Sequence, residues 1–312
     1  MNAIRSLESF RNKKIFFNLN FFLILILLAS LTGFLSCNNE IKEKNLVLVC
    51  GDSKVLLTKA AANSQDTVPD IIWSWDAHTA TNLPPLFNPK KFNTIDDCKA
   101  INGGKQILVS SSSGAVAMIN KDDKKILFYA EVPNAHSIEL LPDNKLVAAA
   151  STANNGNRLM LFEIANPAKL LFSDSLYSAH GVIWDKNRNS LFALGYKTLR
   201  EYKRNNNQLS LLEEWKIPGI SGHDLQMLPD GKHLFVTEHT GAWIFDIESK
   251  KFSKIDGFPD KENIKSINQN KEGRYVFTIP EESWWTYHVK FLNPEGNLSF
   301  PEMHVYKARW FQ

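Results

Sequence analysis

Three imidazoles, a carboxylate and an ammonium recur at one position of a repeated pattern. The segments are Ile95-Asp96-Asp97, Ala135-His136-Ser137, Ala179-His180-Gly181, Gly222-His223-Asp224 and Ile264-Lys265-Ser266. If they converge, three chemistries are open to them. Neutral imidazoles of His136, His180 and His223, with Asp96, Glu238 or Glu281, could hold a divalent metal ion and leave a position for water or a substrate oxygen. The same histidines are catalytic candidates for proton removal beside a carboxylate, with His180 or His136 as base and Tyr196 as acid. Lys265, Arg158 and Arg309 would neutralise that carboxylate. Binding without turnover is the third: Trp284, Trp285 and Trp243 could stack on sugar faces while Asn, Glu and His side chains bond hydroxyls. Each group also has a structural reading, as a satisfied scaffold histidine, a core indole or a solvated loop carboxylate.

The elements that would gather these residues follow from what surrounds them. Each segment opens an apolar stretch, and a turn follows: Asn102-Gly103-Gly104, Pro142-Asp143-Asn144, Asp185-Lys186-Asn187, Pro229-Asp230-Gly231 and Lys271-Glu272-Gly273. The period is about 40 to 44 residues, the length of four short antiparallel strands with their turns. Radial arrays of such units are β-propellers, in which equivalent positions become neighbours around one axis. The sequence therefore predicts an all-β propeller with Asp96, His136, His180, His223 and Lys265 as a ring at one channel mouth. Loops carrying Asp52, Ser111 to Ser113, Thr152 to Arg158, Tyr196, Glu238, His239 and Glu281 to Trp285 should open onto the same face.

The third repeat is the clearest, with strands at His136 to Leu141, Lys145 to Ala150, Arg158 to Glu163 and Leu170 to Ser173. The sixth ends with His304 to Trp310. The first supplies only three strands before the Pro-rich stretch Leu83 to Pro89. Six blades are expected, closed by strands from both termini so that no sheet edge stays open. Seven is the alternative, the extra blade drawing on residues 76 to 94 together with the C-terminal tail.

Ahead of the repeats, Arg5, Arg11, Lys13 and Lys14 precede an apolar run from Phe21 to Leu35 that ends at Ser36-Cys37. This reads as an export segment. Cleavage before Cys37 would leave a lipidated N-terminus that anchors the domain to a membrane outside the cytoplasm. The expected organisation is a lipoprotein signal peptide over 1–37, a tether over 38–45 and one propeller domain over 46–312. The formal net charge is +3, with both signs dispersed along the chain. No track for a polyanion follows from that, so nucleic acid is not an expected partner. A small-molecule or oligosaccharide ligand and a monomeric state are expected instead. Cys50 and Cys98 remain after processing, either paired or as buried thiols.

The segments Ala135 to Asp143, Ala179 to Asp185, Gly222 to Asp224, Ile264 to Ile267, Glu281 to Trp285 and Tyr306 to Trp310 together resemble a family of secreted bacterial propeller proteins of unknown function. That resemblance implies the fold and no activity. In layout, a histidine-lined channel is also similar to that of oligogalacturonate lyases. This likeness implies a metal held by histidines and β-elimination on acidic oligosaccharides.

Overall fold

Six antiparallel sheets follow one another along the chain, each built from the centre outward. The computed structural model describes residues 45–81 and 83–312. The expected signal segment, Cys37 and most of the expected tether lie outside the described residues. Among the described residues, no helix is long and apolar enough to cross a membrane.

The inner strands of the second to sixth blades are Ile95–Ile101, Ala135–Leu141, Gly181–Asp185, Asp224–Met227 and Ser266–Gln269. Val305–Trp310 is the inner strand of the first blade, followed outward by Leu46–Gly51, Lys54–Lys59 and Ile71–Asp76. The six inner strands touch in succession, and the last meets the first. The fold is a six-bladed β-propeller. The described part of 77–94 contains the short helix Pro89–Phe92 and no strand, so there is no seventh blade.

Closure by both termini is as expected, but its details correct the sequence reading. His304 to Trp310 does not finish the sixth blade. That blade ends on Gly296–Ser299, to which Asp66–Thr67 adds a short parallel fifth strand. Burial explains the exchange: every residue of Val305–Trp310 is buried, whereas an outermost strand such as Gln208–Lys216 is largely exposed. A run that is apolar or charge-paired throughout belongs at the axis.

Six buried apolar layers hold the blades together, one between each adjacent pair. Alternation along a strand serves two layers at once. In Lys145–Ala150, Leu146, Ala148 and Ala150 pack toward the second blade, and Val147 and Ala149 toward the fourth. This double burial explains why the strands read as continuous apolar runs. Between them, Asp143 and Asn144 both take positive φ, 57° and 54°. A two-residue hairpin turn that matches strand twist requires that conformation. Cys50 and Cys98 are unpaired thiols in the layer between the first and second blades.

Candidate functional site

The ring position is a bulge in the inner strand of three blades and stands at the mouth of the inner strand in the other three. Asp96 is skipped between the pairs Ile95↔Ser111 and Asp97↔Ser110, His136 between Ala135↔Ala150 and Ser137↔Ala149, and Tyr306 between Val305↔Gly51 and Lys307↔Cys50. In the other three blades, the ring N–H bonds a carbonyl of the residue that also pairs with the next position. The bonds are His180 to Leu194 at 2.9 Å, His223 to Thr237 at 2.8 Å and Lys265 to Thr278 at 3.0 Å. A bulge breaks alternation and lets two successive side chains turn the same way. Five blades thus bring two consecutive side chains to this level of the inner strand, and the fourth brings His180 alone, since Gly181 follows it. Tyr306 is the sixth ring member, which sequence reasoning missed. The signal was present, because Val305-Tyr306-Lys307 has the register of Ile95-Asp96-Asp97.

The expected convergence of the three imidazoles is observed. His136 and His180 stack with centroids 4.1 Å apart, and His180 and His223 meet edge to face at 6.0 Å. Asp96 Oδ1 lies 3.6 Å from His136 Nδ1, and Lys265 Nζ lies 3.0 Å from His223 Nε2. His180 Nδ1 faces the Ser178 carbonyl at 2.9 Å. A carbonyl only accepts, so Nδ1 carries the proton and Nε2 the lone pair. The same logic puts the His223 proton on Nδ1, since an ammonium only donates.

Burial sets the protonation of the ring. It holds His180 down at about 4, with Lys307 and Lys265 adding to the effect against the Ser178 carbonyl. It pushes His136 well down, helped by His180, and His223 well down, helped by Lys265. Lys265 itself is lowered to about 8 by burial and by Lys307. Asp96 is raised to about 7 by burial, against the opposing bonds from Ser112. The ring near neutral pH is therefore three neutral imidazoles, a half-titrated carboxyl and one ammonium.

Directly below lies a buried ion network that plugs the channel. Arg309 Nη2 reaches Asp97 Oδ1 at 3.0 Å, and Nη1 reaches Asp224 Oδ2 at 2.8 Å. Lys307 Nζ bonds Asp224 Oδ1 at 3.2 Å and the His223 carbonyl at 3.1 Å. Burial alone would raise Asp97, but Arg309, Lys307 and Lys99 hold it at about 2. Arg309, expected among the ligand-binding groups of the mouth, is instead a buried interior cation. Glu238 is also corrected: its carboxylate is committed within its own blade, accepting from Thr240 N at 2.7 Å and Trp243 Nε1 at 2.7 Å.

Beside the ring is an open depression of about 620 Å³, lined by Tyr196, His223, His239, Lys265, Glu281 and Trp284 among others. Trp284 is 61% exposed, and the Lys265 ammonium lies 5.4 Å from its ring centre. Glu281 is held by Tyr287 N at 2.9 Å and His288 Nδ1 at 2.8 Å. Tyr196 packs edge to face on Tyr177. His136, His180, Asp96 and Arg158 do not line this depression. Arg158 bonds the Gly156 carbonyl of its own loop at 3.2 Å. Trp285 turns the other way from Trp284 and packs on Tyr306 at 5.8 Å.

Among the described residues, no group of three or more His, Cys, Asp or Glu is arranged to hold a metal ion. The reason at the ring is visible. The His223 Nε2 lone pair is taken by Lys265, and the His136 and His180 rings stack face on face rather than pointing their nitrogens at one centre. The residues in this arrangement do not fit a metal ion.

Fold and mouth together define a six-bladed propeller with a plugged channel and a polar, partly aromatic depression at one end. Residues 30–312 match the family of unknown function DUF6528, and the chain belongs to that family. No curated protein matches it. Among solved structures, it is similar to a chain in the crystal structure of a nidogen/laminin complex. The TM-score is 0.57 at 12% identity, covering 85% of this chain and 97% of that one. At such identity the likeness speaks for the fold alone.

Proposed function

We propose that this propeller binds a small polar ligand bearing a carboxylate, an acidic carbohydrate, in the depression beside Lys265. One observation carries the reading: a buried ammonium reaches the depression between His223 and the exposed face of Trp284. A uronate sugar offers both matching parts, a carboxylate for the ammonium and an apolar ring face for the indole. Tyr196, His239 and Glu281 line the same space and supply hydroxyl, imidazole and carboxylate partners for sugar hydroxyls.

Cleavage by β-elimination is the enzymatic form of this proposal. The base takes the proton beside the carboxylate, a carbon–carbon double bond forms, and the departing sugar oxygen leaves with a proton from an acid such as Tyr196. His180 Nε2 is the best available lone pair, but His180 stands outside the depression, which favours binding over turnover. A metal-assisted form would require Lys265 to leave His223. Elemental analysis of protein purified without chelator tests that form. The second reading is a non-catalytic scaffold for another protein. The export segment ending at Cys37 supports a lipid-anchored place in the cell envelope.

The test is a titration of the purified domain with galacturonate oligosaccharides and their neutral counterparts. Tryptophan fluorescence reads binding, and ultraviolet absorbance reads unsaturated sugar ends. Saturable binding of the acidic series, lost in Lys265→Met, is expected. Absence of binding across the whole panel leaves the scaffold reading.

A further inference from the structure

The channel has a second mouth, on the far side of the ion plug. There, Lys99, Glu139, Gln226, Asn268, Arg309 and Trp310 line a cleft of about 170 Å³. That space holds roughly six waters at liquid density. Most polar groups in its wall are committed. Lys99 Nζ bonds Glu139 Oε2 at 3.0 Å and the Val182 carbonyl at 2.6 Å, and Asn268 Oδ1 accepts from Trp310 N at 2.9 Å.

Two donors are not committed. Gln226 Nε2 and Arg309 Nε are buried and have no acceptor among the described residues. Both residues line the cleft, and they are only 7% and 3% exposed. An orphaned buried donor is destabilising, the more so when it is charged. The Lys99 ammonium has a third neighbour in Asp97 Oδ2 at 4.0 Å, so the two orphaned donors are the Gln226 and Arg309 nitrogens. The wall therefore carries a surplus of N–H donors and calls for an acceptor.

We propose that this far mouth is a second binding site, taking a small monovalent carboxylate. The fixed charges disfavour a dianion. Lys99, Lys307 and Arg309 are matched by Asp97, Glu139 and Asp224, so the region carries no excess that would hold a phosphate or sulfate dianion. A carboxylate is planar and acceptor-only, which suits adjacent N–H donors. Ile183 and Met227 supply an apolar wall for a short alkyl tail.

The test uses the domain in its folded form and follows the Gln226 side-chain amide by NMR during titration with acetate, propionate, acetamide and sulfate at constant ionic strength. Saturable shifts with acetate and propionate are expected, with acetamide at least tenfold weaker and sulfate without effect. The tryptophan indole of Trp310 gives the readout for variants at Gln226. Gln226→Met should weaken acetate about tenfold, as loss of one charge-assisted hydrogen bond predicts. Gln226→Glu, which keeps the shape and adds a repelling charge, should abolish binding and serves if the first variant does not fold. Lys265→Met should change nothing here. The absence of any saturable shift means ordered water alone and overturns the proposal. Equal binding of acetamide overturns it too, as does undiminished acetate affinity in Gln226→Glu.

Discussion

The Lys265 ammonium donates to His223 Nε2 across 3.0 Å, linking the basic ends of the fifth and sixth blades at the edge of the depression. Lys265 is lowered to about 8, first by burial and then by Lys307. A bound carboxylate needs the ammonium form. Affinity for an acidic sugar should therefore be flat near pH 7 and fall about tenfold per pH unit above pH 8, the slope for one required proton. Calorimetric titration across that range checks it. Affinity that holds constant up to pH 10 would remove Lys265 from recognition.

The three imidazoles should make the fold acid-sensitive before its surface carboxylates titrate. A histidine whose folded pKa lies below its unfolded value binds its proton more readily unfolded, so stability drops as pH falls below about 6.5. For His180 the loss levels off near 4, and His136 and His223 act in the same direction. Asp96 works oppositely, because its raised folded value of about 7 favours the folded state on acidification. Glu139, raised by burial, acts with Asp96, and three imidazoles against two carboxyls leave a net loss of stability between pH 6 and 5. Urea unfolding at those two values measures it, and His180→Gln should remove about one proton from the slope.

Much of this site is legible in the sequence because propeller geometry turns a repeat register into a spatial ring. The hairpin turns and the five polar residues at one register position announce it without any local ligand motif. Tyr306 is harder, since its strand joins Leu46–Gly51 across the closure, with Cys50 and Lys307 lying 257 residues apart and in contact. No hairpin turn follows its strand as one does in the other five repeats. Arg309 and Glu238 show the limit of the reading. Which way a side chain points after a bulge, and which loop donors claim a carboxylate, depend on backbone conformations that residue types do not specify.

The plug should be essential for stability. Arg309 neutralises Asp97 and Asp224, which come from the second and fifth blades, so its side chain joins three blades at the axis. Arg309→Met leaves Asp97 and Asp224 without their shared guanidinium, with Lys307 still bonded to Asp224 and Ser137 to Asp97. A loss of about 3–5 kcal/mol is expected from a broken buried pair. Denaturant midpoints report it. Arg309 does not line the depression at the imidazole end, so ligand affinity measured on the remaining folded protein should stay unchanged.

The two adjacent indoles should separate cleanly. Trp284 is exposed over Lys265, whereas Trp285 packs on Tyr306. Trp284→Ala should weaken a stacked sugar about tenfold or more and leave stability within about 0.5 kcal/mol. Trp285→Ala should lower stability and disturb the ring. Paired binding isotherms and melting curves distinguish them. Equal effects of the two changes on binding would count against a stacking role for Trp284.

The closure seam has one position where only glycine fits. A Cβ on Gly51 would lie 1.9 Å from the His304 carbonyl oxygen, and that neighbour is backbone on the approach to the closing strand. Next to it, Asp52 accepts from His304 N at 3.1 Å and from His304 Nδ1 at 3.0 Å, fixing the two segments together. Gly51→Ala must therefore push Val305–Trp310 away from Leu46–Gly51, and Tyr306 and Arg309 move with it. Gly257→Ala is the control. Its φ is +66° with no heavy atom within 4 Å of the added carbon, so it carries only the left-handed backbone cost of about 1–2 kcal/mol. Gly51→Ala should cost several kcal/mol, and amide exchange should accelerate first in Val305–Trp310. If both variants lose the same stability and exchange alike, the closing strand can shift without consequence. The ring would then not depend on the seam.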